Sequence, residues 1–373
     1  MKFNLLKRMT NKTVNHEGAA AYKLSPEMEL YSAVATAGLS DTFYEKQGDR
    51  LQRIQDLLAK TNPEFTARLA VYARNNMNMR SVPMVLAVEM AKLQTGNSLV
   101  SKTVSGVVQR ADEIAELLAY YQLANKRDGA KKLNKLSKQV QKGLAVSFNK
   151  FDEYQFAKYN RATEVKLRDA LFLVHPKAKS DEQQALFNKI AKDELAVPYT
   201  WEVELSSLGQ QKFENEKARK KAFTAKWEEL IDSGKVGYMA MLRNLRNILD
   251  AQVSYTHMEK VCAYLANENA VAKSKQLPFR FLAAYREVKK MQSPYTSIVL
   301  DALEDAVAAS AANIQGFDGD TSVVIACDVS SSMQQPVSKK SAVLLYDVGL
   351  MLGMLLQSRC KKQYQVCLAI PGK

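Results

Sequence analysis

The sequence predicts a mainly α-helical protein that is followed by a short α/β segment. Glycine and proline are scarce, at 15 and 9 of 373 residues, which disfavours a β-rich chain divided by tight turns. Between about residues 25 and 310, one helical periodicity follows another with short polar connectors, and nothing there favours β-strands. The β-branched run 321–327 is the first segment that suits a buried strand.

Composition narrows the class of protein further. Apolar residues make up 47% of the chain, enough for a substantial core, and the length suggests about two domains. The four cysteines form no C-x-x-C pair and the three histidines lie far apart, which disfavours a zinc site, a haem attachment and a disulfide framework. Without a signal peptide, we expect a cytoplasmic protein with reduced thiols. The most apolar stretch, 343–356, is too short to span a bilayer and predicts a buried helix.

Start signals and periodic runs predict the helices in order. Ser25 before Pro26 predicts an N-cap and a first helical position, and Asn62-Pro63 precedes a periodic run over 64–74. Further helices are predicted over 84–92, 110–126, 164–174, 181–192, 214–231, 238–249, 258–267, 279–291 and 297–312. Such a succession favours an α-solenoid, with a compact helical bundle as the alternative.

The character of the chain changes at a linker, 314–320, that carries two glycines and two aspartates. A strand over 321–327, a helix over about 339–358 and a strand over about 364–370 follow it. Strand, loop, helix and strand form one βαβ unit, which implies a parallel sheet. We therefore expect a helical domain over 1–318 and an α/β segment over 319–373.

The positive charge is concentrated in one stretch. The chain has a net charge of +14, and residues 126–150 carry eight Lys or Arg against one Asp, half of that net charge. Helical spacing puts several lysines on one face, opposite an apolar stripe of Leu133, Leu136, Val140 and Leu144; they are Lys131, Lys135, Lys138 and Lys142. Such a face can neutralise phosphates, although most charge runs are merely solvated helix faces. We expect a polyanionic partner, nucleic acid before an acidic membrane surface.

An Asp-x-Ser-x-Ser motif follows the first predicted strand. Asp328, Ser330 and Ser332 stand at its carboxyl end, where open α/β sheets bind ligands. A carboxylate and two hydroxyls are hard oxygen ligands that suit Mg²⁺ with waters completing the shell. The alternative is that these side chains cap the next helix.

Several segments resemble a known family. Residues 324–333, Val-Ile-Ala-Cys-Asp-Val-Ser-Ser-Ser-Met, resemble the opening of a von Willebrand factor A domain with its metal-ion-dependent adhesion site. Residues 239–246, Met-Ala-Met-Leu-Arg-Asn-Leu-Arg, and 277–281, Leu-Pro-Phe-Arg-Phe, are similar to the TROVE proteins, the Ro ribonucleoprotein family in its bacterial form. Residues 15–19 and 68–74 also look like bacterial members. The resemblance covers essentially the whole chain.

The resemblance implies a concrete function. TROVE domains are HEAT-like α-solenoids closed into a ring, and the A domain, a Rossmann-like fold, brings the two ends together. Small structured Y RNAs bind the outer surface, and single-stranded ends of misfolded RNA enter a basic central hole. Bacterial relatives tether an exoribonuclease, polynucleotide phosphorylase, through the Y RNA. We therefore expect a non-catalytic protein of RNA processing or quality control, with no membrane partner.

Single residues carry the resemblance to the RNA site. Lys150 matches an RNA-contacting lysine, Lys158-Tyr159 matches a Lys-Tyr, and Arg168-Asp169 matches a Lys-Asp of the family. Leu167 stands where the family has a histidine. The expected phosphate contacts combine these residues with the basic stretch: Lys131, Lys132, Lys135, Lys138, Lys142, Lys150, Lys158, Arg161 and Arg168.

The α/β segment departs from the family in length. Asp328, Ser330 and Ser332 take the places of the adhesion-site carboxylate and serines, but an A domain is much longer than the residues after Asp320. Its later threonine and second aspartate are absent, so we expect an incomplete metal site in a chain that is either a fragment or a truncated gene product.

Two other hypotheses belong to different classes. The first is a Mg²⁺-dependent protein-interaction scaffold, in which a partner's carboxylate completes the metal shell. The second is an enzyme, which is disfavoured because the sequence shows no nucleophile–His pairing, no P-loop and no acidic cluster for a two-metal nuclease.

Overall fold

The structure, a computed structural model, describes residues 12–14, 18–37, 47–125, 136–160, 163–314, 316–338 and 341–368. The chain divides into two compact units, Met1–Pro198 and Tyr199–Lys373. Each unit has a hydrophobic core of its own, built from residues between 30 and 190 in the first and between 227 and 306 in the second. The prediction of a mainly helical protein is confirmed.

The first unit begins with a short hairpin and continues as helices. Strands β1 and β2 pair antiparallel, with Lys12 opposite Tyr22 and Val14 opposite Ala20; the sequence did not suggest this pair. The elements of the unit are β1 (Lys12–Val14), β2 (Ala20–Tyr22), α1 (Pro26–Thr36), α2 (Gln47–Leu58), α3 (Pro63–Asn75), α4 (Ser81–Leu93), α5 (Leu99–Val107), α6 (Asp112–Ala124), α7 (Lys138–Phe148), α8 (Glu153–Tyr159), α9 (Leu167–Val174) and α10 (Asp181–Lys192).

Both Ser/Asn-Pro start signals are confirmed. The Ser25 hydroxyl accepts a hydrogen bond from the Met28 amide at 3.3 Å, and the Asn62 side-chain oxygen accepts one from the Glu64 amide at 2.8 Å. Each bond satisfies an amide that the first helical turn leaves without an intrahelical partner, and proline at the next position loses no bond there. These helices therefore begin at Pro26 and Pro63.

The second unit continues the helical series and then changes to α/β. Its rings pack edge to face in the core, with Tyr238 and Phe281 at 6.2 Å between centroids. Its elements are α11 (Trp201–Gly209), α12 (Glu216–Asp232), α13 (Tyr238–Asp250), α14 (Tyr255–Ala266), α15 (Glu268–Ser274), α16 (Pro278–Val288), α17 (Thr296–Ser310), β3 (Ser322–Asp328), α18 (Leu345–Ser358) and β4 (Lys362–Leu368).

The predicted βαβ unit is present. Strands β3 and β4 pair in parallel, in register from Ser322 opposite Lys362 to Asp328 opposite Leu368. Along β3 buried and exposed residues alternate, so one face of this two-stranded sheet is covered and the other carries the 67% exposed Val324. The connection places the end of β3 and its serine loop ahead of α18.

Two expectations for the connecting helix are corrected. The helix begins at Leu345 rather than near 339; residues 339–340 lie outside the described residues and 341–344 are not helical. The apolar stretch is not a buried helix, since only Asp347 and Gly353 of α18 are buried and Met354 is 64% exposed. A two-stranded sheet offers too little surface to cover a helix that is apolar on most sides.

No helix in the described part of the chain is both long and apolar enough to cross a membrane.

Candidate nucleic-acid interface

The described part of the basic stretch, 136–150, contains a helix. Helix α7 begins at Lys138 with Ser137 at the N-cap, so Leu136, predicted on its apolar stripe, precedes it. Lys138 and Lys142 are exposed, while Val140 and Leu144 on the other side are fully buried. The two-faced helix is thus present over 138–148. Of the other predicted phosphate contacts, four lie outside the described residues: Lys131, Lys132, Lys135 and Arg161.

A glycine contact holds α7 against α5. A Cβ at Gly143 would lie 2.6 Å from the Ser101 carbonyl oxygen and 2.6 Å from the Val104 Cβ. Only glycine permits so close an approach of two helices, because any other side chain would collide with the facing backbone. This contact fixes the position from which Lys138 and Lys142 project.

Lys150, an RNA contact by the resemblance, is an exposed residue whose ammonium also makes contacts within the fold. Its ammonium donates hydrogen bonds to the backbone carbonyls of Ser105 and Val108, the latter at 2.9 Å. These carbonyls lie at the C-terminal end of α5, where a cation is stabilised by the helix dipole. Burial lowers the pKa of Lys150, and Glu113 opposes this shift. In this arrangement the ammonium holds α5 and the turn after α7 together.

Two aromatic rings, the exposed Tyr154 and the half-buried Tyr159, accompany the one cation of α8, Lys158. The Lys158 ammonium lies 5.6 Å from the centre of the Tyr154 ring and 5.7 Å from that of Tyr159. On the Tyr159 ring, the Arg110 guanidinium lies at 4.4 Å. Because Tyr154 is 44% exposed, a base could stack on it while the neighbouring ammonium meets a phosphate.

The same pairing recurs on α9. The Arg168 guanidinium lies 5.9 Å from the centre of the Phe172 ring, and Phe172 is 52% exposed. Leu167, at the place of the family's histidine, is 7% exposed at the start of α9 and packs in the core. The chain therefore presents Arg168 and Phe172 to solvent and turns the residue before Arg168 inward.

The sequence reasoning missed three of these residues: Arg110, Tyr154 and Phe172. A signal for two of them was available, since Tyr154 stands four residues before Lys158 and Phe172 four after Arg168. That spacing places side chains together on one side of a helix. Arg110 is distant in sequence from Tyr159, on whose ring it lies, so no local spacing indicates this contact.

The serine loop at the end of β3 gathers three oxygen-bearing side chains. The Asp328 carboxylate accepts a hydrogen bond from the Ser330 amide at 2.9 Å, and the hydroxyl oxygens of Ser330 and Ser332 are 3.1 Å apart. The Ser330 hydrogen bonds hold the pKa of Asp328 below its ordinary value. The side chains do not cap α18, because α18 starts at Leu345 and Asp347 accepts the hydrogen bond of the Leu344 amide at its start.

This loop offers one carboxylate and two hydroxyls, which are ligands suited to Mg²⁺ and few in number. Among the residues that the structure describes, no group of three or more His, Cys, Asp or Glu could hold a metal ion. A cation here would therefore keep water in much of its coordination shell.

A Ser–His–Asp grouping, which the sequence did not reveal, lies at the start of α14. The Ser254 hydroxyl oxygen is 2.6 Å from Nδ1 of His257, and Nε2 is 3.3 Å from the Asp232 carboxylate. Asp232 also pairs with Lys260 at 2.6 Å, and the Ser254 amide donates to Glu228 at 2.8 Å. The group thus ties the N-terminus of α14 to α12, and this packing role accounts for its hydrogen bonds.

Comparison with known proteins identifies the family of this chain. The model of the TROVE domain matches residues 32–222 and 191–300. Telomerase protein component 1 of Mus musculus is 27% identical over 318 residues, and that of Rattus norvegicus 25% over 325, covering 64% and 66% of this chain. The chain spans 12% of the length of these curated relatives.

A solved structure has the same fold. The crystal structure of the Deinococcus radiodurans RO (RSR) protein superposes with a TM-score of 0.63 at 16% identity. The match covers 92% of this chain and 75% of that one.

Proposed function

Since the chain belongs to the TROVE-domain family, we propose that it is a non-catalytic RNA-binding protein that acts within a ribonucleoprotein. The observation that carries the proposal is the pairing of exposed cations with exposed rings on α8 and α9, Lys158 with Tyr154 and Arg168 with Phe172. Cations alone would suit any polyanion. The adjacent aromatic faces favour RNA, whose unpaired bases stack on such rings.

The lysines of α7 supply the electrostatic part of this surface. Lys138 and Lys142 are exposed and neither forms an ion pair within the described residues. Ammonium groups that form no ion pair with the described residues, on a chain of net charge +14, attract the RNA backbone through release of its counterions. Four further cations, which lie outside the described residues, are also proposed to contact phosphates: Lys131, Lys132, Lys135 and Arg161.

The finer form of the proposal follows the family resemblance. The RNA is a small structured, Y-like RNA on the outer surface of a HEAT-like ring, with single-stranded ends of misfolded RNA in a central hole. An exoribonuclease such as polynucleotide phosphorylase is a further proposed partner. The protein acts in the cytoplasm in RNA processing or quality control.

Charge reversal on α7 tests the proposal. We expect Lys138→Glu with Lys142→Glu to weaken binding of a hairpin RNA about tenfold or more at 100 mM salt. The slope of log affinity against log salt should fall by about 0.9 for each duplex phosphate that the variant no longer neutralises. Fluorescence anisotropy over a salt series measures both quantities.

The matched control reverses two lysines with the same spacing. Lys217 and Lys221 are exposed four residues apart on α12, so Lys217→Glu with Lys221→Glu changes the net charge equally. A salt-independent affinity, or an equal loss of affinity in the two double variants, would overturn the proposed surface.

A second proposal concerns the α/β segment. We propose that 319–373 form the first part of a von Willebrand factor A domain, whose Asp328, Ser330 and Ser332 bind Mg²⁺ as a site for a protein partner. The parallel pairing of β3 with β4 and the clustered oxygens of the loop support it. This function is an alternative to RNA binding, and the two can coexist.

Metal dependence tests the second proposal. We expect 5 mM Mg²⁺ to raise the melting temperature of the protein relative to EDTA, because a ligand of the folded state alone stabilises it. Asp328→Asn should abolish the difference, whereas Asp318→Asn, in the turn before β3, should keep it. Equal melting temperatures of the wild type in Mg²⁺ and in EDTA would contradict the site.

A further inference from the structure

Helices α13 and α16 leave a cavity of about 490 Å³ between them. The contact of the Tyr238 and Phe281 rings holds the two helices together at one end. Ala283 and Ala284 face the cavity from α16, and such small side chains leave the space between the helices unfilled. The cavity volume lies within the range of about 300–1,000 Å³ that is typical of ligand sites.

Three arginines line this cavity, which we call the arginine pocket. Arg243 and Arg246 project from α13 and Arg280 from α16, and all three are exposed. None of them forms an ion pair with a residue that the structure describes. The Arg280 guanidinium lies 5.4 Å from the centre of its neighbour Phe279.

One carboxylate, that of Glu287, lines the pocket, and it is already paired with a lysine. Glu287 accepts a hydrogen bond from Lys290 at 2.8 Å, and this bond is the main cause that lowers its pKa, with a smaller contribution from Arg246. Three guanidinium groups around one cavity repel one another when a single shared carboxylate balances them. An anion that entered the pocket would relieve this repulsion.

The rest of the arginine pocket is lined by apolar side chains, which favour an anion that also carries an apolar part. Met239, Leu242, Leu245 and Val288 line the cavity beside the arginines. A phosphate joined to a flat, poorly solvated group satisfies both parts of the pocket, because guanidinium planes bind phosphates bidentately and also stack on bases. A nucleotide has these two parts.

We propose that the arginine pocket binds a nucleotide of unpaired RNA, with its phosphate on Arg243, Arg246 and Arg280 and its base against the apolar lining. An unpaired strand fits because its bases can be turned out into a concave site, whereas a duplex keeps its bases stacked inside. This inference rests on the proposed RNA-binding function. It adds a second RNA contact, in the second unit of the chain.

Removal of two arginines tests the inference. We expect Arg246→Gln with Arg280→Gln to weaken binding of a fluorescein-labelled dodecamer of uridylate about tenfold or more at 100 mM salt. Its salt slope should fall by about 0.7 for each single-strand phosphate that the variant no longer neutralises. Binding of the hairpin RNA should change less than twofold.

The matched control is Lys217→Gln with Lys221→Gln, which removes two exposed charges from α12 and leaves both uridylate affinity and its slope near those of the wild type. Circular dichroism melts establish that both double variants fold, as expected for substitutions of exposed side chains. A second measurement uses a 4-thiouridine dodecamer, whose crosslinks in the wild type should fall on peptides from 238–250 or 278–288.

The outcomes separate this inference from the function on which it rests. Hairpin binding retained with unchanged uridylate affinity, or equal losses of affinity for both RNAs, overturns the pocket alone. Failure of the wild type to bind the hairpin overturns the proposed function and the pocket with it. A selective loss of uridylate binding supports both.

Discussion

At the scale of single residues, buried carboxylates hold the backbone from which more exposed side chains project. Glu113 is fully buried and accepts hydrogen bonds from Arg74 at 2.7 Å and from the amides of Gln109 and Arg110 at 2.7 and 3.0 Å. A buried charge needs such partners to be tolerated. The network holds the backbone of Arg110 at the start of α6, and its guanidinium can then lie over Tyr159.

Asp347 has a comparable role in the second unit. Its carboxylate, 9% exposed, accepts two hydrogen bonds from Arg286 of α16 at 2.6 and 2.9 Å and one from the Leu344 amide at 2.8 Å. One side chain thus caps α18 and ties it to α16. The Arg286 bonds are the main cause that lowers the pKa of Asp347.

We predict that Asp347→Asn destabilises the protein by about 1.5–3 kcal/mol at pH 7, the usual worth of hydrogen bonds to charged groups. The pKa of Asp347 is depressed in the folded state. The stabilisation is therefore complete above the unfolded-state pKa of about 3.9 and is lost as the pH falls through the folded-state pKa. Urea unfolding between pH 5 and 3 should show the wild type losing more stability than the variant. Asp305→Asn, at an exposed position of α17, is the control, and parallel pH curves for Asp347→Asn and the wild type would contradict the prediction.

At the scale of elements, close helix contacts decide which surfaces face outward. The contact of Gly143 with the Ser101 carbonyl sets the rotation of α7. This rotation buries Val140 and Leu144 and leaves Lys138 and Lys142 in solvent. The basic surface therefore depends on a residue that carries no charge.

We predict that Gly143→Ala destabilises the protein by about 1–3 kcal/mol, because its Cβ meets backbone and cannot be accommodated by a side-chain rotation. The control is Gly349→Ala in α18, where nothing lies within 4 Å of the added Cβ. There alanine should be neutral or stabilising by up to about 1 kcal/mol, since it favours helix over glycine. Chemical denaturation measures both, and effects of the same sign at the two positions would refute the packing argument.

The sequence analysis missed seven of the described elements, and several of them have weak local signals. The seven are β1, β2 and the helices α2, α5, α8, α11 and α15. The 7-residue α8 and α15 are too short to show periodicity, and α5 contains β-branched residues, serine and glycine that disfavour a helix. Burial of Val100, Val104 and Val107 in the core stabilises α5 in spite of its propensity.

At the scale of the whole molecule, the net charge of +14 is arranged by the fold in three ways. Some cations stay in solvent, as Lys138 and Lys142 do, and some lie beside rings, as Lys158 and Arg168 do. Others form hydrogen bonds or ion pairs within the fold, as Lys150 and Arg286 do. Cations whose hydrogen bonds are made within the fold offer less to RNA phosphates, so a count of charges overstates the binding surface.

By itself, the sequence determined what depends on near neighbours. Helix starts at Pro26 and Pro63, the two faces of α7 and the βαβ order follow from capping, from helical spacing and from chain order, which all act over a few residues. The Ser330 amide also meets the Asp328 carboxylate within one loop, and the Ser330 hydroxyl meets that of Ser332 there. For this reason the fold class and part of the candidate site could be predicted.

Tertiary structure alone decided the contacts between distant residues. The ammonium of Lys150 lies on carbonyls 45 and 42 residues away, and Arg110 lies over the ring of Tyr159. Arg280 and Arg243 line one cavity only because two helices pack side by side. Local spacing carries no record of such pairs, since they arise from the closing of long loops around a core. Whether a cation holds the fold together or is left for a ligand is therefore decided by packing.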